Sequence, residues 1–173
     1  MRRLPSLIQT SLIAFFLLLL LSASTCKYSF NDTSYPPEVK TFRVNYLENK
    51  APFVNAQLSP QLTERLKQKI ISTTRLKQTN RDDAHYDISG YISQYALSTI
   101  SINGTASSGN RLTVGFHLDF KNTLDETKNM QADLSRSFDF DANVSLSQAE
   151  ATLNNDIIRN LTDEIFNKIF SNW

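Results

Sequence analysis

The sequence is poor in the residues that build covalent, metal and phosphate sites. Its 173 residues include one cysteine, two histidines and four glycines. One cysteine cannot form an internal disulfide, and with two histidines it offers few ligands to a transition metal. The sequence also contains no Gly-Lys-Ser/Thr ending of a phosphate loop and no Gly-x-Ser-x-Gly nucleophile elbow. These absences predict a protein that is not an enzyme and that uses no metal or cofactor.

An excess of charge of either sign is missing too. The chain has 18 basic and 17 acidic residues, a formal net charge of +1. Such a balance gives no strong field toward nucleic acid or anionic membranes. Basic residues are scattered, and Lys121, Lys128 and Arg136 lie in or beside one predicted hairpin. They are either solvated charges or a small patch that pairs with phosphates of a lipid headgroup.

The longest apolar run, Leu12 to Leu21, covers about ten residues, half of the roughly 20 that span a bilayer as a helix. Arg2 and Arg3 precede it, and the small residues 22–25 follow it. This order is typical of a removable secretion signal, here residues 1–25, rather than of a transmembrane anchor. Its removal takes away two arginines and no acids, so the formal charge falls from +1 to −1.

Cys26 directly follows these small residues and is the only cysteine. An odd thiol in an exported protein is either free, bridged to another molecule, or modified. The position at the end of the apolar run is similar to the lipobox of bacterial lipoproteins. That resemblance implies cleavage before Cys26, acylation (palmitate among the chains) at Cys26, and stable anchoring, since several acyl chains bind a membrane far better than one.

The mature chain divides into a tether and one domain. Residues 26–37 end in Pro36-Pro37, which disfavours helix, and they are expected to be extended. Residues 38–173 have the length of a single domain with its own core.

Two periodicities define the fold of that domain. Four segments alternate with a period of two, as half-buried strands do: Phe42/Val44/Tyr46, Tyr86/Ile88/Gly90/Ile92, Leu112 to Phe120, and Met130 to Phe140. Two segments repeat at i+4: Leu62/Leu66/Ile70 after a predicted Ser59 N-cap, and Leu153 to Ile169 after a predicted Ser147–Glu150 capping box. The prediction is an α+β two-layer sandwich, a four-stranded sheet with both helices on one face. The other face, with His117, Asp119, Lys121, Ser135, Ser137, Asp139 and Tyr91, is expected to be polar.

Three stretches resemble a divergent branch of the LptE family of lipopolysaccharide-assembly lipoproteins. They are Val44-Asn-Tyr46-x-x-Asn49-x-Ala51-Pro52-x-Val54-Asn55-x-x-Leu58-Ser59-x-x-x-Thr63-Glu64, then Asn110-Arg111-Leu112-Thr113, and the ending Asp163-Glu-Ile-Phe166-Asn-Lys168 with Asn172-Trp173. The first is fairly specific. The similarity runs over almost all of Cys26 to Trp173.

The resemblance implies a role, partners and a location. Proteins of this family sit inside the LptD β-barrel of the outer membrane, help it to assemble and assist delivery of lipopolysaccharide to the outer leaflet, without enzymatic activity. A polar sheet face suits the polar lumen of a large barrel. Two other interpretations remain open: a stand-alone periplasmic lipoprotein that binds a lipid or another ligand, and an envelope hydrolase.

The resemblance to the LptE family also leads us to expect particular contact residues. The 97–110 stretch, predicted to be a polar glycine-containing loop, and residues 49–57 are the expected contacts with the barrel wall. The named positions are Pro52, Asn103, Gly104, Gly109 and Arg111. The patch of Lys121, Lys128 and Arg136 is the expected contact with lipopolysaccharide phosphates.

Overall fold

The computed structural model describes residues 35–53, 55–100 and 109–171. All of them belong to a compact unit that spans Asp32–Trp173. The predicted signal peptide, Cys26 and most of the tether lie outside the described residues, as do Asn103 and Gly104.

The described residues form an α+β domain, as predicted. In chain order the elements are β1 (Thr41–Val44), β2 (Glu48–Asn49), α1 (Leu58–Thr73), β3 (Lys77–Gln78), β4 (Tyr86–Ile100), β5 (Gly109–Asn122), β6 (Met130–Phe140) and α2 (Leu146–Phe170). A 3-10 turn, Glu126–Lys128, lies between β5 and β6. The sheet therefore has six strands in place of the predicted four. The added strands, β2 and β3, have two residues each, too few for any periodicity to reveal them.

The sheet is mixed, with the strand order β3-β1-β4-β5-β6. β1 and then β2 run parallel to β4 along the same edge, and β3 runs parallel to β1 on its other side. β4, β5 and β6 form an antiparallel meander. The parallel pairing of β1 and β4 requires a crossover, which α1 provides.

The core lies between the helices and one face of the sheet. Its fully buried residues follow the predicted periodicities and include Phe42, Ile88, Ile92, Leu112, Phe116, Leu118 and Phe120 on the strands, and Leu62, Leu66, Ile70, Leu161, Ile165 and Ile169 on the helices. Tyr46 was expected to continue this face, but it is 60% exposed. β1 ends at Val44, and the chain turns so that Leu47 takes the next buried position.

A β-bulge interrupts the apolar alternation of β4, so the sequence pattern predicts only the first half of this strand. The pairing register with β5 shifts between Ile92 and Gln94, so the buried positions change from even to odd numbers and Tyr95 enters the core. After the bulge the pairing continues to Ile100 opposite Gly109. The prediction of a loop over residues 97–110 is therefore wrong at both of its ends, which are paired strand.

Both helices begin one residue before the predicted N-caps, and their observed N-caps lie two residues before them. α1 starts at Leu58, and its N-cap Gln57 makes no side-chain cap, so the Ser59 prediction is wrong. α2 has a capping box formed by Ser145 and Gln148. That pair has the same spacing as the predicted Ser147 and Glu150, and the sequence contains both.

The two helices run parallel to each other. Asn154 of α2 donates to Gln61 of α1 at 2.7 Å, and further along both helices Lys69 pairs with Asp163 at 3.1 Å. Their N-terminal ends consequently lie at the same end of the domain.

Candidate functional site

The sheet face opposite the helices, called the open face below, is polar as predicted. Its side chains are intermediate or exposed, and they alternate with buried ones along β4 and β5 and mostly with partly buried ones along β6. The open face includes Asp87, Ser89, Tyr91, Arg111, Thr113, His117, Asp119, Lys121, Asp133, Ser135, Ser137 and Asp139. Most of these groups contact a neighbour across the strands.

One charged cluster joins β1 to β4 on the open face. The Arg43 guanidinium donates to both carboxylate oxygens of Asp87, at 3.0 and 2.8 Å, and also contacts Asp82. Asn45 donates to Asp87 at 2.8 Å. The Arg43 hydrogen bonds lower the pKa of Asp87 despite partial burial, and they raise the pKa of Arg43. Asp87 is therefore a firmly ionised, bidentate partner, the strongest kind of protein ion pair.

A second group crosses the sheet in a single row. Tyr91 of β4 stands opposite His117 of β5, which stands opposite Asp133 of β6. The two rings are 5.0 Å apart between centroids, and Nδ1 of His117 lies 2.6 Å from Oδ1 of Asp133. The ammonium of Lys50 sits 4.6 Å from the centre of the Tyr91 ring, a cation–π contact. His117, which was expected on the polar sheet face, thus contacts Tyr91 on one side and Asp133 on the other.

Arg111, one of the predicted barrel contacts, lies on the open face. It is near the end of the β4–β5 hairpin at which Ile100 pairs with Gly109. It forms a bidentate pair with Asp139 of β6, at 2.6 and 2.8 Å. The pair raises the pKa of Arg111 and lowers that of Asp139. Its guanidinium is therefore engaged within the chain, while both side chains keep about half of their surface in solvent, 44% and 50%.

Two of the other predicted barrel contacts, Pro52 and Gly109, lie within the described residues. Pro52 is exposed in the segment that follows β2. Gly109 is buried at the start of β5, where a Cβ would lie 3.2 Å from the Ile100 side chain. Asn103 and Gly104 lie outside the described residues, so the structure places three of the five positions.

The predicted phosphate-binding residues do not form one patch. Lys121 and Lys128 are exposed near the connection between β5 and β6. Lys121 is on the open face, opposite Asp87. Arg136 pairs with Val114 and thus belongs to the helix-covered face, where its Nε donates to Glu164 of α2 at 2.6 Å. The sequence suggested three neighbours, but the alternation of β6 separates Arg136 from the two lysines.

Among the described residues, two of the open depressions lie beside the helices. The larger, about 580 Å³, lies between α1 and α2 and is lined by charged and amide side chains around Ile158. The smaller, about 390 Å³, lies at their N-terminal ends, between Phe53 and Glu150. No local sequence pattern predicts either depression, because each joins residues about 90 to 100 positions apart.

The described part of the chain contains neither a group of metal-binding side chains nor a helix suited to cross a membrane. Within it, no three or more His, Cys, Asp or Glu side chains are grouped so that they could hold a metal ion. No helix there has the length and apolar character needed to cross a membrane.

The chain matches one protein family and is similar in fold to several solved structures. The model of the family described as LptE, lipopolysaccharide-assembly, matches residues 39–169. No curated protein matches the sequence. Among solved structures, a minor lipoprotein from Acinetobacter baumannii aligns with a TM-score of 0.53 at 17% identity, covering 78% of this chain and 94% of that one. The hypothetical protein CT253 from Chlamydia trachomatis aligns with a TM-score of 0.52 at 6% identity, covering 77% and 99%. At such identities these two similarities establish the fold alone.

Proposed function

Because the chain belongs to the LptE lipopolysaccharide-assembly family, a family of non-enzymatic outer-membrane lipoproteins, we propose that it is a subunit of a lipopolysaccharide translocon. In this role the domain occupies the lumen of an LptD-like β-barrel, helps the barrel to assemble and assists delivery of lipopolysaccharide to the outer leaflet. The family match over residues 39–169 is the observation that carries the proposal.

The open face supports a position in a barrel lumen. Lumen walls are polar, and a plug must offer them hydrogen bonds rather than an apolar surface. The open face presents hydroxyls together with two ion pairs, Arg43–Asp87 and Arg111–Asp139, in which each charge is compensated within the domain. Such a face can be covered by a polar, water-containing interface without stranding an unpaired charge.

The proposed barrel contacts keep the positions named from the sequence. They are Pro52, Asn103, Gly104, Gly109 and Arg111, of which Pro52 and Arg111 offer side-chain surface in the structure. Arg111 would meet the barrel together with Asp139 as one neutral unit.

The proposed lipopolysaccharide contacts are Lys121, Lys128 and Arg136. Lys121 lies near the end of β5 and Lys128 in the 3-10 turn before β6, and both are exposed, so one phosphorylated ligand is proposed to contact both. Arg136 would share its guanidinium between a phosphate and Glu164, which already accepts from its Nε. The two lysines are tested first because both lie beside the connection between β5 and β6.

Membrane attachment is proposed to depend on Cys26. The Cys26→Ala variant is expected to take up no fatty acid and to be lost from the membrane fraction. Labelling with a fatty-acid analogue measures this directly. Label that persists on the variant would refute lipidation at Cys26.

The barrel proposal is tested by extraction in mild detergent and affinity capture of the full chain. We expect that an outer-membrane β-barrel is captured together with the chain at a fixed stoichiometry. We also expect that replacement of residues 101–108 by a Gly-Ser segment of equal length releases the barrel without lowering the melting temperature. A wild-type chain that is recovered alone would overturn the translocon proposal and favour the stand-alone ligand-binding lipoprotein.

The phosphate proposal is tested on the same material. The Lys121→Glu/Lys128→Glu variant is expected to weaken lipopolysaccharide binding and to retain the barrel. Arg75→Glu/Lys77→Glu makes the same change of charge at exposed positions on the opposite sheet edge and serves as the control. Equal loss of binding in both variants would indicate a general charge effect and would reject a site at the two lysines.

A further inference from the structure

The smaller depression has walls of a distinctive composition. It is an open cleft of about 390 Å³ at the N-terminal ends of α1 and α2, and Phe53, Asn55, Gln57, Glu150 and Asn154 line it together with two alanines. Its volume falls within the roughly 300–1,000 Å³ of small-molecule sites. We call it the helix-end cleft.

An aromatic ring is fixed in place at the mouth of the helix-end cleft. Phe53 is 55% exposed, yet its ring stacks on Tyr95 with 6.2 Å between centroids and 9° between planes. Tyr95 itself is buried, and its hydroxyl donates to Glu150 at 2.7 Å. Burial and this acceptor raise the pKa of Tyr95, which keeps the hydroxyl protonated as a donor. The exposed Phe53 ring therefore rests on a buried partner that is anchored to α2.

Hydrogen-bonding groups without positive charge surround this ring. Glu150 uses one carboxylate oxygen for Tyr95, and Asn154 uses its amide nitrogen for Gln61. Glu150 Oε2 and Asn154 Oδ1 are acceptors that can serve a ligand, and the Gln57 amide supplies donors. Among the described residues, no Lys, Arg or His lines the cleft. The Glu150 carboxylate repels phosphates and carboxylates, whereas hydroxyl groups can donate to it.

We propose that the helix-end cleft binds a neutral saccharide unit. One face of a pyranose ring consists of weakly positive C–H groups, which pack on the negative face of an aromatic ring such as Phe53. The hydroxyls at its edge then donate to Glu150 and Asn154 and accept from Gln57. A specific site of this kind combines one apolar surface with a few well-placed polar groups.

Saccharide binding at the helix-end cleft needs no barrel partner. The saccharide has two possible sources with the same chemistry. It belongs to the sugar portion of a lipopolysaccharide, in which case the inference rests on the proposed function, or to another envelope glycan.

Saturation-transfer NMR on the full chain in detergent micelles tests the proposal. The probes are an oligosaccharide obtained from lipopolysaccharide by removal of acyl chains and phosphates, and the disaccharides maltose and chitobiose. We expect transfer to ring protons of at least the first probe. Phe53→Ala should weaken binding about tenfold, since a stacking contact is lost, while Phe53→Tyr should bind as the wild type does. Asn154→Ala should weaken binding less.

The controls separate this proposal from folding and from the barrel. Tyr46→Ala removes an aromatic side chain that is 60% exposed and lies outside the cleft, so it should leave saccharide binding unchanged. A thermal melt and the barrel capture are repeated on each variant. Transfer confined to the lipopolysaccharide-derived probe would assign that source, and transfer to all probes would assign a general glycan site. Absence of transfer to any probe, or unchanged binding by Phe53→Ala, would overturn the proposal whatever the barrel capture shows.

Discussion

The two faces of the sheet hold their side chains in place by different means. On the helix-covered face, Phe116 and Leu118 are fully buried and each contributes through the apolar area it removes from water. On the open face, Arg43 and Arg111 each find a carboxylate on a neighbouring strand and stay partly in solvent. The covered face therefore supplies most of the folding free energy. The open face adds little to it, which leaves that surface available for contacts with partners.

The largest expected effect is on the covered face, at the helix α2. Ile157 and Leu161 are 1% and 0% exposed, and truncation of either to Ala should lower the free energy of unfolding by roughly 2–5 kcal/mol. Asn160, which is only partly buried and bonds the Asp156 carbonyl, is the control, and Asn160→Ala should cost much less. Chemical denaturation measures all three. Equal losses of stability in all three variants would mean that the face of α2 with Ile157 and Leu161 does not pack in the core.

A glycine on the covered face should show the next largest effect. A Cβ on Gly90 would lie 2.3 Å from the His117 carbonyl oxygen and 2.5 Å from the Phe116 ring, so the strands must separate to admit it. Gly90→Ala is expected to lower stability by about 1–3 kcal/mol, as overpacking does. Gly109→Ala is the matched control, because its nearest contact would be 3.2 Å. A larger loss at Gly109 than at Gly90 would contradict this account.

The same contrast explains what the sequence could predict. A buried face needs only apolar residues at the right period, so the sequence predicts the helices and the four longer strands. The exception is the part of β4 beyond the bulge at Ser93. The ion pair of Arg43 and Asp87 was not, since its partners are 44 residues apart and no local pattern relates them. The helix-end cleft joins residues near 55 to residues near 150 and was hidden for the same reason.

A smaller effect is expected from the ion pair of Arg43 on the open face. Asp87→Asn should lower stability by about 1 kcal/mol at neutral pH, since the pair is partly screened by solvent. The pKa of Asp87 is lowered in the folded state, so its contribution is complete above the unfolded pKa of about 3.9 and is lost as the pH falls below it. The difference between the wild type and the variant should therefore shrink in acid.

Denaturation at several pH values measures that difference. Asp133→Asn is the matched control, since the Asp133 side chain is 83% exposed. A difference between Asp87→Asn and the wild type that grows in acid would have the wrong sign for this mechanism. An Asp133→Asn loss as large as that of Asp87→Asn would remove the special position of the Arg43 cluster.

The smallest effect on folding is expected where we propose a partner. Arg111 and Asp139 keep 44% and 50% of their side-chain surface exposed, so water and salt screen their attraction. A double-mutant cycle with Arg111→Ala and Asp139→Ala should give a coupling that is at the limit of detection in low salt and vanishes in high salt. The melting temperatures should stay close to that of the wild type. The same double variant should nevertheless reduce retention of the barrel, because its wall loses a bidentate polar unit that it can contact. A large fall in melting temperature would show that the open face contributes to folding as the covered face does. Full barrel retention with unchanged stability would remove Arg111 from the proposed contact surface.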